Sequence, residues 1–147
     1  MLDKSFIGHE LSVRYADVEA GQLRFFAKAT GETNPIYFDL EAAKTAGHES
    51  LPAPPTFQFS LELLAPAEKD SLSLLGVDIG KVLHGEQSFK YFNQIYAGDR
   101  IKLSSKIVDI YDKKGGALEF IVAETTATNQ HGEKVGVTRA VTVVRNG

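Results

Sequence analysis

A short polar loop, Gly31–Tyr37, carries residue types that could perform acid–base chemistry. It holds a carboxylate (Glu32), a side-chain amide (Asn34) and a phenol (Tyr37), and Pro35 restricts the backbone at Asn34. Polar groups held by a stiff turn beside a buried apolar helix can position a water molecule and a carbonyl group. The alternative is structural, because Asn-Pro is a common turn in which the asparagine bonds its own backbone and the tyrosine packs. Taken alone, the loop favours the structural interpretation.

The amino-acid composition limits the classes of protein to which this chain can belong. The chain has 147 residues, 43% hydrophobic and 24% charged, with a net charge of −3. These values are typical of a soluble globular protein, and the length predicts one domain over residues 1–147. No basic cluster exceeds Lys113-Lys114, which argues against nucleic-acid binding. The absence of cysteine excludes disulfides, thiolate metal sites and cysteine nucleophiles.

The sequence also argues against membrane and metal binding. The longest run without a charged residue, Ser50–Leu61, is short and interrupted by prolines, so it cannot span a bilayer. The residues after Met1 lack the apolar core of a signal peptide. No two of the four histidines have a spacing that suggests a metal site. We therefore expect a cytoplasmic protein with no membrane anchor, no metal and no nucleic-acid partner.

Cap and stop residues in the first half predict short helices. The first runs over Val18–Thr30 behind an Asp17 cap, and the second over Leu40–Ala46 behind an Asp39 cap. The third is the most apolar and lies between Thr56, a suitable N-cap, and a proline at position 66. A helix that is apolar on nearly all sides is expected to be buried on nearly all sides.

The second half changes to the two-residue period of strands. It predicts four successive antiparallel strands, at about 82–92, 100–111, 117–128 and 134–145, and a further strand is expected over Glu10–Tyr15. One very apolar helix followed by an antiparallel meander predicts an α+β hotdog fold, in which a curved antiparallel sheet wraps around a buried central helix. Such a sheet has a free edge, so we expect at least a dimer.

Longer stretches around the loop are more specific than the loop itself. They comprise Phe26-Ala27-Lys28-Ala29-Thr30-Gly31-Glu32-Thr33-Asn34-Pro35-Ile36-Tyr37, then Asp39, Ala42, Ala43, Gly47-His48 and Ala53-Pro54-Pro55-Thr56-Phe57, and later His84-Gly85-Glu86-Gln87 and Ala97-Gly98-Asp99. The first group resembles the MaoC-like hydratase/dehydratase family. The later group resembles the branch of that family related to the dehydratase domain of fungal-type fatty-acid synthase.

This resemblance implies a hotdog dimer that acts on acyl thioesters of coenzyme A or acyl carrier protein, with no further cofactor. The family reaction is the reversible addition of water to a trans-2-enoyl thioester, which gives the (R)-3-hydroxyacyl thioester. In the family pattern Gly-Asp-x-Asn-Pro-hydrophobic-His, Glu32 takes the aspartate position, Asn34 the asparagine position and Tyr37 the histidine position. A phenol is a poor base at neutral pH, and one lost acid–base group typically costs roughly 10²–10⁴-fold in rate.

Two residues on a predicted strand could replace the missing imidazole. His84 and Glu86 lie two positions apart and would share one face of the strand, although a strand histidine bonded to a carboxylate is often structural. His84 is therefore a further catalytic candidate, because its imidazole could replace the one missing at position 37. Substrate contacts are expected from Pro55, Thr56, Phe57 and Glu86.

Three functions remain open on the sequence. We prefer an acyl-thioester hydratase or dehydratase with Glu32 as base, Asn34 positioning water or the thioester, and Tyr37 as donor. The second interpretation, close behind, is a non-catalytic acyl-thioester-binding subunit that pairs with a catalytic hotdog partner. The third is a thioesterase, which fold alone does not exclude.

Overall fold

The computed structural model describes residues 1–147 and contains one antiparallel sheet with helices packed on it. The strands are β1 (Arg14–Asp17), β2 (Val82–Tyr91), β3 (Arg100–Lys113), β4 (Leu118–Thr128) and β5 (Lys134–Arg145). The helices are α1 (Ala20–Ala29), α2 (Leu40–Thr45), α3 (Phe57–Leu64) and α4 (Ser71–Leu74). The strands lie in the order β1-β3-β4-β5-β2, so β1 and β2 form the two edges.

The four long strands are confirmed, while the first element of the chain differs from the expectation. β1 is shorter and later than the predicted Glu10–Tyr15, and Glu10 makes only an isolated bridge to β3. Asp17 does not cap α1, because it ends β1 and pairs with Arg100 at 3.3 Å. Glu19 occupies the cap position without a side-chain hydrogen bond.

The predicted meander is wrong at one connection, because β2 pairs with β5 and not with β3. The linker 92–99 is too long for a tight hairpin and runs along the end of the sheet. The Ala97 N–H donates to Leu51 O at 2.9 Å, and the Gly98 N–H donates to Val18 O at 2.8 Å. These bonds carry the chain from the β2 edge to the opposite side of the sheet, so only β3, β4 and β5 form a meander.

Helix α3 lies on one face of the sheet and supplies the centre of the core. Phe57, Leu61 and Ala65 are buried there with residues of α1 and of the strands, including Leu23, Ile101, Leu103 and Val135. The expectation that α3 is buried on all sides is wrong, since Leu63 and Leu64 are 71% and 55% exposed. The sheet covers only one side of the helix, and the opposite side faces outward. No helix, α3 included, combines the length and apolar character needed to cross a membrane.

A bulge in β2 depends on Gly85. The pairing register with β5 shifts between His84 and Glu86, which leaves Gly85 as the extra residue. A Cβ atom added at Gly85 would lie 2.8 Å from Val143 Cγ2 and 3.0 Å from the Val141 carbonyl oxygen. The bulge therefore requires a residue without a side chain at this position.

We predict that Gly85→Ala lowers the free energy of unfolding by about 1–3 kcal/mol, because β5 must move to accept the methyl group. Gly21→Ala is the matched control, since a Cβ atom at Gly21 in α1 meets nothing within 4 Å. The control should stabilise the protein by up to about 1 kcal/mol. Urea denaturation measures both, and equal stabilities for the two variants would contradict the assigned strand packing.

Candidate functional site

The loop after α1 is held in shape by its own backbone and by Asn34. The Glu32 N–H donates to Ala27 O at 2.9 Å, which ends the helix. The Asn34 side-chain oxygen accepts from the Ile36 N–H at 3.2 Å and caps a short 3₁₀ turn over Pro35–Tyr37. The Asn34 amide thus bonds its own backbone, as in the structural alternative, and a role in positioning substrate stays a prediction.

The carboxylate and the phenol of the loop interact electrostatically. Tyr37 and Glu32 are both half-buried. Burial raises the pKa of the Tyr37 phenol, and the negative charge of Glu32 raises it further. Tyr37 is therefore protonated at neutral pH and can donate a hydrogen bond, but it cannot serve as a base there.

Tyr37 faces a cavity of roughly 280 Å³ at the N-terminal end of α3, which we call the Tyr37 cavity. Pro55, Thr56 and Phe57 line it, so the structure brings three of the expected substrate-contacting residues to the phenol. Glu32 is not among the residues that line the cavity. The remaining lining residues are Ala53, Pro54, Gln58, Tyr91, Phe92, Asn93, Gln94, Ile95 and Val135.

Thr56 has an unusual backbone conformation at this cavity. Its φ angle is 74°, in the left-handed region that β-branched residues rarely occupy. Its side chain makes no capping hydrogen bond, contrary to the expected N-cap role, although it occupies the cap position. Its N–H instead donates to the Tyr91 hydroxyl oxygen at 3.0 Å. Strained backbone of this kind persists where the surroundings hold it, and it is frequent at ligand sites.

Residues from the end of β2 and the following linker were missed by the sequence reasoning. Tyr91 stacks on Phe89 with ring centroids 6.1 Å apart, and both rings lie on the α3 side of the sheet. The Gln94 amide donates to Ala53 O at 3.1 Å and holds the proline segment in place. The aromatic residues at alternate positions of a predicted strand were a usable signal, whereas nothing in the sequence marked Gln94.

His84 and Glu86 do not share a face, contrary to expectation. His84 pairs with Thr142 and Glu86 with Val141, and consecutive residues of β5 point to opposite faces. The imidazole packs on the α3 side against Phe59, with ring centroids 5.4 Å apart, and Glu86 points to the other side. His84 also precedes Tyr91 by seven strand residues, roughly 20 Å. Within one chain, His84 cannot supply a base to the Tyr37 cavity.

The sequence matches a known family. The family model described as FAS1-like, dehydratase domain region matches residues 5–138. The chain belongs to this family. A UPF0336 protein of Streptomyces griseus is 42% identical over 107 residues, which make up 72% of this chain and 71% of that protein.

Solved structures confirm the hotdog fold and the MaoC-like relationship. A chain of the C-terminally truncated HadBC complex, a (3R)-hydroxyacyl-ACP dehydratase of Mycobacterium tuberculosis, superposes with a TM-score of 0.77 at 27% identity. The match covers 94% of this chain and 96% of that chain. A MaoC-like dehydratase superposes with a TM-score of 0.83 at 24% identity, over 97% of this chain and 43% of the other.

We predict that Tyr37 ionises at higher pH than an ordinary tyrosine. The difference in tyrosinate absorbance between the wild-type protein and Tyr37→Phe during a pH titration isolates this phenol. In a Glu32→Gln background the pKa should fall part of the way back, because the charge is removed while the burial remains. A Tyr37 pKa at or below the ordinary value would contradict the burial of this phenol. An unchanged Tyr37 pKa in Glu32→Gln would show that the two residues do not interact.

Proposed function

We propose that this chain binds acyl thioesters as one subunit of a heteromeric hydratase/dehydratase, and that a second hotdog subunit supplies the base. The observation that carries the proposal is the lining of the Tyr37 cavity, whose only titratable side chains are the phenols of Tyr37 and Tyr91. Addition of water to a trans-2-enoyl thioester needs a base that takes a proton from water as it attacks C3. Neither phenol is suited to that step at neutral pH.

The groups in the cavity suit substrate binding and polarisation. The Tyr37 O–H can donate to the thioester oxygen, where negative charge develops as water adds. The apolar wall around Phe57 can receive the first carbons of the acyl chain. The thioester carrier, coenzyme A or acyl carrier protein, is part of the substrate in this proposal, and no resident cofactor takes part.

The sheet offers an edge for the partner. β2 pairs only with β5 and leaves its other side open along the whole strand. Leu83 on this strand is 49% exposed. The similar HadBC dehydratase is described as a complex. Edge pairing through β2 would bury Leu83 and satisfy the open backbone.

The first test is hydration of crotonyl-CoA, followed by loss of the absorbance of the conjugated thioester. The chain alone should be inactive or slow. Co-expression with a hotdog subunit that carries the Asp and His of the family pattern should restore turnover by roughly 10²–10⁴-fold. Equal activity of the chain alone and of the mixture would show that it needs no partner. Release of free thiol from acyl-CoA would indicate a thioesterase.

The second test addresses the docking edge. Leu83→Lys should weaken the complex with that partner by at least about tenfold, because a charge at the interface must be desolvated. Phe25→Lys is the matched control, since Phe25 is 76% exposed on α1, outside the sheet. Analytical ultracentrifugation measures both. Equal losses in the two variants, or none in Leu83→Lys, would rule out the β2 edge.

A further inference from the structure

Glu62 is the only charged side chain of α3, and its carboxylate points toward the sheet. Both carboxylate oxygens lie within hydrogen-bond distance of Thr138 Oγ1, at 3.0 and 2.9 Å. The Thr125 hydroxyl lines the same cavity as Glu62 and hydrogen-bonds with Ser105 Oγ at 2.7 Å. A hydroxyl carries one donor hydrogen, whereas a carboxylate offers about four lone-pair sites. The carboxylate therefore keeps unused acceptor capacity.

Packing alone does not account for a carboxylate at this position. Burial raises the pKa of Glu62, and the Thr125 and Thr138 hydroxyls and the charge of Arg14 oppose that rise. An apolar side chain would join α3 to the sheet without the cost of desolvating a charge. Arg14 does not pair with the carboxylate directly, since its guanidinium donates to the Glu62 backbone oxygen.

The carboxylate borders a second cavity of roughly 400 Å³, which we call the Glu62 cavity. Ser105 and Thr125 add hydroxyl groups beside Glu62, and Phe59 and Leu63 contribute apolar wall. The charged side chains of Arg14, Lys69 and Asp70 also line the cavity. The cavity shares no lining residue with the Tyr37 cavity. Both cavities border α3, and the six residues from Thr56 to Glu62 correspond to about 9 Å along the helix. A ligand that occupies both would have to pass along α3 beside Gln58, whose amide lines the first cavity and donates to Thr125 O at 3.3 Å.

We propose that the Glu62 cavity is a second ligand subsite, which receives the distal end of an acyl chain and prefers a chain that carries a hydroxyl group there. This inference rests on the proposed function, since it assumes that the thioester lies in the Tyr37 cavity. A distal hydroxyl can donate to the free lone pairs of Glu62 and accept from the Ser105 hydroxyl. A plain alkyl end would displace water from the carboxylate without replacing its hydrogen bonds.

The test compares ω-hydroxyacyl-CoAs with the matching unsubstituted acyl-CoAs over a series of chain lengths. Isothermal titration calorimetry on the purified protein, in the assembly in which it purifies, gives the ratio of dissociation constants for each pair. At the length that reaches Glu62, the hydroxylated ligand should bind about tenfold more tightly. In Glu62→Leu the ratio should fall to about one, while the affinity for the unsubstituted ligand is kept or improved.

Two further variants keep the outcome decisive. Glu62→Gln keeps nearly the same side-chain shape, so it can replace Glu62→Leu if that variant does not fold. It should reduce the ratio of dissociation constants several-fold. Glu133→Gln, in the exposed turn before β5, should leave the ratio unchanged. A wild-type ratio near one at every length, or a preference that persists in both Glu62 variants, would overturn the subsite. Binding of unsubstituted acyl-CoA without the preference defeats this inference alone, whereas no acyl-CoA binding defeats the proposed function as well.

Discussion

The packing of α3 against the sheet is the constraint on which the rest of the structure depends. Leu61 is fully buried at this contact, and truncation of such a side chain typically costs about 2–5 kcal/mol. With α3 fixed, its N-terminal end must meet the proline segment and the linker 92–99, and Thr56 is held there in a left-handed conformation. The Tyr37 cavity is the space that remains where these segments meet. The Glu62 cavity forms farther along the same helix, where β1 and the segment after α3 leave the sheet partly uncovered.

The chemistry of the two cavities follows from which side chains this helix and its neighbours present. At the first, the phenols of Tyr37 and Tyr91 can donate hydrogen bonds to a polar ligand, and no lining group is suited to act as a base. At the second, the Glu62 carboxylate and the hydroxyls of Ser105 and Thr125 lie in a lining that combines apolar and charged side chains. A chain that binds both ends of an elongated acyl group and leaves proton abstraction to a partner is consistent with this distribution. The open β2 edge also lies next to the first cavity, because β2 ends at Tyr91, which lines that cavity.

Local patterns predicted the elements well, and long-range connections poorly. The alternation of apolar residues located all four long strands, and Asp39 caps α2 as its type and position predict. The pairing of β2 with β5 was not predictable from periodicity, because it depends on where the linker 92–99 finds backbone partners. Long-range pairing also decides features of the site that the sequence alone does not show. The Gly85 bulge separates His84 from Glu86, and the role of Glu62 becomes visible only once Thr125 and Thr138 lie opposite the helix. The loop Gly31–Tyr37 was found because its chemistry is contiguous in sequence.

The central claim is that the Tyr37 cavity accepts an enoyl thioester in a productive position and lacks only the acid–base pair. Placing an imidazole at the cavity lining with Tyr37→His, together with Glu32→Asp, tests the claim most directly, with hydration of crotonyl-CoA by the isolated chain as the measurement. We expect the folded double variant to exceed the wild-type chain by at least about 10²-fold in rate. A folded double variant with no gain in hydration would contradict the assignment of this cavity to enoyl-thioester chemistry.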